Sequence, residues 1–496
     1  MRILCLGNNT EDSDHRSRQL AQERGLGYHG LLSELEIPLQ PSQHAQPGLY
    51  HSTVFDLAFG RLVDLCNQFD EIVVLDQPRD QWSHPDAYLT MLRVVKEIHR
   101  PVTYLNPTAK DPVDFFERLV HENQSFCIFP FIELLAHGSH STVCCRSNQP
   151  VAEIQSIGPW DSDPRYAAIR QRMIDGERIW DHCASCYQLE DRGIKSARQQ
   201  ETVEWANRLA LKNLDDLHAI THPAYFEIRS SNRCNLQCRM CSPDASHLID
   251  QEYRRIGLTT GPPIRTYDHG FDIVDFTNLK KLYVAGGEPL IMPEFYQFLD
   301  QCIENRQTDF ELLVNTNGTK LSDKFKKQLT HFTNFQFIFS IDAFGDLNHY
   351  IRWPSDWQTI IDNLAYLWDA GHKCSVNTTV SIYNVARLHH LFQFLDQQFP
   401  NILIHVNLAE SPSMLAPWSY PDSSAVIQSI TRIQNMACYQ NDTLLASSMD
   451  GLLRHFQSSR PDRQSLERFF TFNDLLDQSR SMHLLDHLPE LASYRG

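Results

Sequence analysis

Nowhere do the 496 residues run apolar long enough to cross a bilayer, and no stretch is of low complexity. Met1-Arg-Ile-Leu-Cys-Leu-Gly7 carries one positive charge and too short an apolar run for a secretory signal. Positive charge is also in deficit: 44 Lys and Arg stand against 61 Asp and Glu, a net −17. That balance argues against a nucleic-acid surface, which would want a basic face. The loop Gly7-Asn8-Asn9-Thr10 lacks the G-x-G-x-x-G spacing that lets backbone approach a pyrophosphate. These absences predict a cytoplasmic protein with no membrane partner. They also give the thirteen cysteines a different meaning from disulfides, namely metal ligands plus buried thiols.

A chain of this length needs more than one core, and 42% apolar residues are ample to build them. Residues 1–118 alternate strands (2–6, 71–76, 101–105) with helices (14–24, 53–68, 85–99), which predicts a small parallel α/β domain of unassigned role. Cys5 and Cys66 fall within apolar patterns there and read as core thiols. Residues 119–210 are a cysteine-rich module. Residues 211–412 are a run of strand–helix units, and 413–496 read as a helical extension packed over them. Cys302, Cys374 and Cys438 sit in apolar surroundings and are expected in the core.

Two cysteine constellations carry the chemistry. After the alternating run Tyr225-Phe-Glu-Ile-Arg-Ser230 comes Cys234-Asn-Leu-Gln-Cys238-Arg-Met-Cys241. Three thiolates on one short loop can hold three corners of an iron–sulfur cube, and the missing fourth leaves one iron open to an outside ligand. A zinc site is the other reading; it would need a fourth ligand such as His247. The second constellation is Cys127, Cys144 and the Cys183-Ala-Ser-Cys186 knuckle, with Cys145 competing for the second place. Four thiolates suit a closed cluster or a structural zinc, and should collect around one point. His137 and His182 are lesser candidates among 23 histidines.

The C-x3-C-x2-C loop resembles the motif of the radical S-adenosylmethionine (radical SAM) enzymes, and the likeness extends over roughly 225–410. Strand Leu279–Val284 enters Ala285-Gly286-Gly287-Glu288-Pro289, which resembles the family's second motif, where the amino group of the methionine moiety is bound. Three further strands end in small polar residues: Asn315-Thr-Asn317-Gly318, Ser340-Ile-Asp342, and Asn377-Thr-Thr. An α/β barrel places its site at such ends. The resemblance implies ribose contacts from Ser340 and Asp342, a pocket position for Asn377, and an adenine-side place for Met240. It also implies a carboxylate fork from Arg352. Each of these also reads as a satisfied strand-end polar residue, or for Arg352 as a surface arginine. A sixth strand, Ile402–Val406, completes a six-stranded partial (β/α) barrel, although Asn407-Leu-Ala-Glu410 lacks the family's glycine.

Cys183, Cys186, Tyr187, Glu190, Gly193, Ser196 and Arg198 resemble the twitch/SPASM-like auxiliary-cluster module, over roughly 120–200 and here placed before the barrel. Together the resemblances imply a 4Fe-4S cluster, S-adenosyl-L-methionine, an auxiliary iron–sulfur cluster and a flavodoxin- or ferredoxin-type electron donor. They also imply hydrogen abstraction from a peptide or small-molecule substrate. An iron–sulfur electron-transfer protein and a zinc-stabilised interaction protein are the alternatives.

Overall fold

The computed structural model describes residues 2–7, 28–32, 48–53, 71–74 and 102–104. From 112 onward it describes all but 148, 192–195, 261–270, 410, 459–462 and 496. Two compact units result, Met1–Asp111 and Pro112–Gly496.

In the first unit, β1 (Arg2–Gly7), β2 (Tyr28–Leu32), β3 (Gly48–Thr53), β4 (Glu71–Val74) and β5 (Val102–Tyr104) form one sheet in the order β2-β3-β1-β4-β5. Every pairing is parallel, as the alternation of strands and helices predicts. Strands β2 and β3 escaped the sequence pattern. Each is short and interrupted by glycine, histidine or serine, residues with little preference for a pleated surface. The expected helices and Cys66 lie outside the described residues; Cys5 stands on β1, and its burial is outside what is described.

The second unit is built on a nine-stranded sheet, β14-β13-β12-β11-β10-β9-β6-β7-β8. Strands β9 (Tyr225–Arg229), β10 (Lys281–Ala285), β11 (Glu311–Thr316), β12 (Phe335–Ser340), β13 (Lys373–Val380) and β14 (Leu403–Leu408) run parallel in chain order, the six strands of the expected partial barrel. The cysteine-rich segment extends this sheet. Its β6 (Glu133–His137) lies parallel to β9, and β7 (His140–Thr142) and β8 (Ala152–Glu153) continue antiparallel.

Parallel strands covered on both faces usually read as unbroken apolar runs. Here β11, β12 and β13 alternate strictly, burying one face and leaving the other half open. The buried face (Leu312, Val314, Phe335, Phe337, Phe339, Val376) packs under the helices Pro293–Glu304, Asp323–Leu329 and Trp357–Asp369. Stacked and edge-on rings dominate that layer, among them Phe335–Phe337 at 4.8 Å and Phe271–Phe298 at 4.7 Å. The other face carries Asn315, Ser340, Ser375 and Asn377 into the lumen. The half-open register, in which Leu313 and Ile338 stand among the polar side chains, lines a hollow barrel.

The extension after 413 is helical as expected, and Phe469, Phe470, Phe472, Leu476, Leu488 and Leu491 share the barrel's core cluster. Cys302, Cys374 and Cys438 are buried, in keeping with core thiols. Among the described residues no helix is long and apolar enough to cross a membrane.

Candidate active site

The lumen opens into a cavity of about 1230 Å³ whose wall includes Cys234, Cys238 and Cys241. The loop bearing them has no regular structure and is gripped from two sides. Gln237 N–H donates to Trp353 O (2.6 Å) and Arg239 N–H to Ile351 O (2.8 Å), so the loop runs beside the segment that carries Arg352. On the other side Glu288 N–H donates to Arg233 O at 2.8 Å. That approach dictates the two glycines. A Cβ on Gly287 (φ +51°) would lie 2.2 Å from Arg233 O, and one on Gly286 (φ +83°) 3.1 Å from Ser231 O.

Cys234 and Cys238 are buried and Cys241 half-buried, gathered round Leu236. Leu236 N–H points to Cys234 Sγ at 3.4 Å, and Asn317 Nδ2 approaches the same sulfur at 3.9 Å. The Cys241 S–H held against Cys238, aided by the Arg352 guanidinium, brings the Cys238 thiol down to about 7. Cys241, donating that proton, moves well above its ordinary value. Burial pushes Cys234 up to about 12, with Cys238 adding to the shift and Arg352 opposing it.

Arg352 spends one arm on Asp342, Nη1 to Oδ2 at 2.6 Å. Its Nε is buried with no hydrogen-bond partner among the described residues. Burial pulls the guanidinium down, but the thiolate of Cys238 and the Asp342 carboxylate together hold it above its ordinary value. An unpaired N–H beside three thiols suits a carboxylate brought in by a ligand, since a buried donor left unmade is costly.

Of the residues singled out in the sequence, Cys234, Cys238, Cys241, Gly286, Gly287, Ser340, Arg352 and Asn377 line this cavity. Ser340 Oγ donates to Asn315 Oδ1 (3.1 Å), and Asn377 Oδ1 accepts from Asn407 Nδ2 (2.7 Å). Three others stand behind the wall. Asp342 is fully buried, held by Arg352 and by Thr379 N–H at 2.8 Å. Met240 packs on the main core. Glu288 is fully buried and its carboxylate is already engaged: Oε1 accepts from Leu290 N–H (3.0 Å) and Thr316 Oγ (2.7 Å), Oε2 from Asn317 N–H (2.5 Å). It ties the end of β10 to the end of β11, and burial raises its pKa above the usual carboxylate range. Asn317 was missed as a site residue, although its place after a strand end was visible. His247 Nδ1 accepts from Cys234 N–H at 3.4 Å.

Of the second constellation, Cys127, Cys144 and Cys183 share one apolar core cluster. Cys127, Cys144, Cys183 and Cys186 are all buried, the last two on the helix Trp180–Glu190. Burial first, then Cys183 and Cys186, push the Cys127 thiol well up; burial and then Cys127 do the same to Cys144. Cys183 rises to about 11, again mostly by burial. Cys145 instead lines the barrel cavity, so adjacent cysteines face different sites. Arg198, 2% exposed, clamps the module through Glu190 and the carbonyls of Val120 and Phe126. Ser196 Oγ also bonds Glu190, and Tyr187 O–H bonds Ser125. Gly193 lies outside the described residues. His182 bonds Ser147, and His137 lines the barrel cavity.

Among the described residues, no three His, Cys, Asp or Glu side chains converge tightly enough to hold one metal ion.

The Radical SAM superfamily model matches residues 228–395. In sequence the chain is 32% identical over 124 residues to the tungsten-containing aldehyde ferredoxin oxidoreductase cofactor-modifying protein of Pyrococcus furiosus, covering 24% of this chain and 31% of that protein. It is 25% identical over 140 residues to GTP 3',8-cyclase of Desulforamulus reducens, covering 27% and 41%. The chain thus spans less than half the length of these curated relatives. Solved structures with likeness include anSMEcpe with bound AdoMet (TM-score 0.31, 14% identity, 46% of this chain and 59% of that one). Another is Streptococcus suis SuiB bound to precursor peptide SuiA (0.27, 15%, 65% of each). The likeness to the radical SAM superfamily thus takes in residues 228–395, which include the Cys234 loop and strands β10 to β13.

Proposed function

We propose that the protein is an enzyme that cleaves S-adenosylmethionine reductively and abstracts a hydrogen atom from a substrate carbon. The observation that carries this reading is Arg352 Nε, a buried N–H without a partner in the same cavity wall as three thiols. Cys234, Cys238 and Cys241 would hold a 4Fe-4S cluster by three corners. Arg352 would fork the methionine carboxylate, Asp342 keeping it oriented from behind. The Gly286-Gly287 turn and the Glu288 that braces it would shape the amino-group side. Ser340 and Asn377 would face the nucleoside, and Met240 would back the loop from the core. When bound, the cluster and S-adenosylmethionine supply a carbon radical able to take hydrogen, chemistry that belongs to the cofactors. The chain's own work is to exclude water and fix the target hydrogen.

A drug-sized ligand fills about 300–1000 Å³, and the cavity is about 1230 Å³. The remainder suits a second molecule, a small metabolite or a peptide segment. Cys127, Cys144, Cys183 and Cys186 would hold an auxiliary cluster in the module 119–210, with 413–496 as a cover. A flavodoxin- or ferredoxin-type donor would supply the electron, in the cytoplasm. Anaerobic reconstitution tests the reading: the protein should take up iron, show the electron paramagnetic resonance of a reduced cube, and release methionine from S-adenosylmethionine. Zinc uptake with no iron would overturn it.

A further inference from the structure

Two buried charged side chains, Asp477 and Arg480, lie on the C-terminal helix Arg463–Arg480, one paired with the cysteine loop and the other with the helix that follows it. Arg239, between Cys238 and Met240, is 0% exposed. Its Nη2 meets Asp477 Oδ1 at 2.5 Å, its Nη1 meets Asn473 Oδ1 at 2.8 Å, and its Nε meets Tyr350 O at 2.9 Å. The guanidinium carbon lies 3.6 Å from the centre of the Tyr350 ring. Tyr350 O–H returns to Asp477 at 3.0 Å, and Tyr383 O–H to Asn473 at 2.9 Å. One turn further along, Arg480 pairs with Glu252 at 2.5 Å, both almost fully buried. Glu252 stands on the helix His247–Arg255 just after the loop and accepts from Gln237 Nε2 at 3.3 Å. The loop is therefore held on both flanks by the same face of one distant helix.

Buried ion pairs are poor stabilisers compared with well-packed apolar groups, but losing one partner strands the other's charge. Apolar residues would have fastened this helix at lower cost. The guanidinium of Arg239 also shares Tyr350 with the segment that leads into Arg352, so the same contact registers the cysteines against the arginine fork. We infer that Asp477 and Arg480 are positioning residues: the C-terminal extension fixes the relative placement of Cys234, Cys238, Cys241 and Arg352, and is part of the active site. This inference rests on the assignment of those cysteines as cluster ligands.

The test is read on iron-free chain, apart from any cofactor chemistry. Wild type, D477N and N473A are treated with N-ethylmaleimide and each cysteine's labelling rate is followed by mass spectrometry. In D477N the rates of Cys234, Cys238 and Cys241 should rise at least about tenfold, the least that a stranded buried charge should cause. Cys302, Cys374 and Cys438 should stay at wild-type rates. N473A, which keeps the charge pair, should show the same selective pattern at smaller amplitude. E490Q, breaking the outlying Arg387–Glu490 pair of the same extension, should leave all six rates unchanged. A uniform rise at all six cysteines, or none in the loop, overturns the inference. If D477N does not fold, N473A decides alone. Selective labelling without S-adenosylmethionine cleavage would sink the proposed function and leave the clamp standing.

Discussion

Two groups of cysteines sit within one compact unit, and they solve opposite problems. The Cys234 loop stands in the wall of a large cavity beside the buried cation of Arg352, and one of its thiols is brought down to about 7. The Cys127–Cys186 group is sunk in an apolar core. Its cation, Arg198, is engaged by Glu190 and backbone carbonyls, and burial drives the Cys127, Cys144 and Cys183 thiols up. In the first, Cys238 can ionise before any metal arrives, while Cys234 and Cys241 are raised, and the loop keeps a face open. In the second, Cys127, Cys144 and Cys183 are all raised and hold their protons until a metal displaces them. One environment suits exchange with small molecules and the other suits permanence.

The sharpest way to break this comparison is to delete each group in turn. Replacing Cys234, Cys238 and Cys241 together by alanine should abolish methionine release while the protein keeps the iron of the buried group, read by iron assay. Cys183→Ala should do the reverse, lowering iron yet leaving uncoupled cleavage measurable. Gly287→Ala comes next. Its Cβ would strike Arg233 O at 2.2 Å, so the loop must move, and loss of the first cluster with retention of the second is expected.

Arg352→Ala should weaken S-adenosylmethionine binding by about tenfold or more, taking about 1.5–3 kcal/mol for a hydrogen bond to a charged group. Arg352→Lys should fall between, since it keeps charge but not the fork; calorimetry on reconstituted protein checks both. The smallest effect concerns pH. Cys238 is depressed in the folded chain, so its thiolate is present above about 7 and lost below it. Alkylation of iron-free protein should therefore rise through neutral pH at Cys238, whereas Cys183, raised to about 11, should stay inert until strongly alkaline solution. Equal pH profiles for the two would erase the distinction.

Local spacing made much of this legible. Cys234, Cys238 and Cys241 share one loop, and the six barrel strands each show as a short apolar run followed by polar residues. What escaped depends on contacts between remote segments. Glu288 looked like a ligand to the cavity because a strand-end carboxylate usually faces it. Its inward turn is fixed by Thr316 and Asn317 on the next strand. Nothing local distinguishes Cys144 from Cys145; Cys144 joins the apolar cluster of Cys127 and Cys183 while Cys145 turns to the barrel cavity. The Arg239–Asp477 pair closes over 238 positions of chain, beyond any pattern a window can hold.

The strict alternation of β11 to β13 has an evolutionary consequence. Residues that build the aromatic layer and residues that line the lumen occupy interleaved but separate registers, Val314 and Phe337 in one, Asn315 and Ser340 in the other. Exchanges in the second register alter which molecule is welcomed without opening a void in the first. Such a scaffold can drift between clients while its foldedness is inherited intact. Ser340 and Asn377 are tied to the proposed nucleoside contact, so the freedom to change falls to neighbours in that register such as Leu313, Gln336 and Ile338.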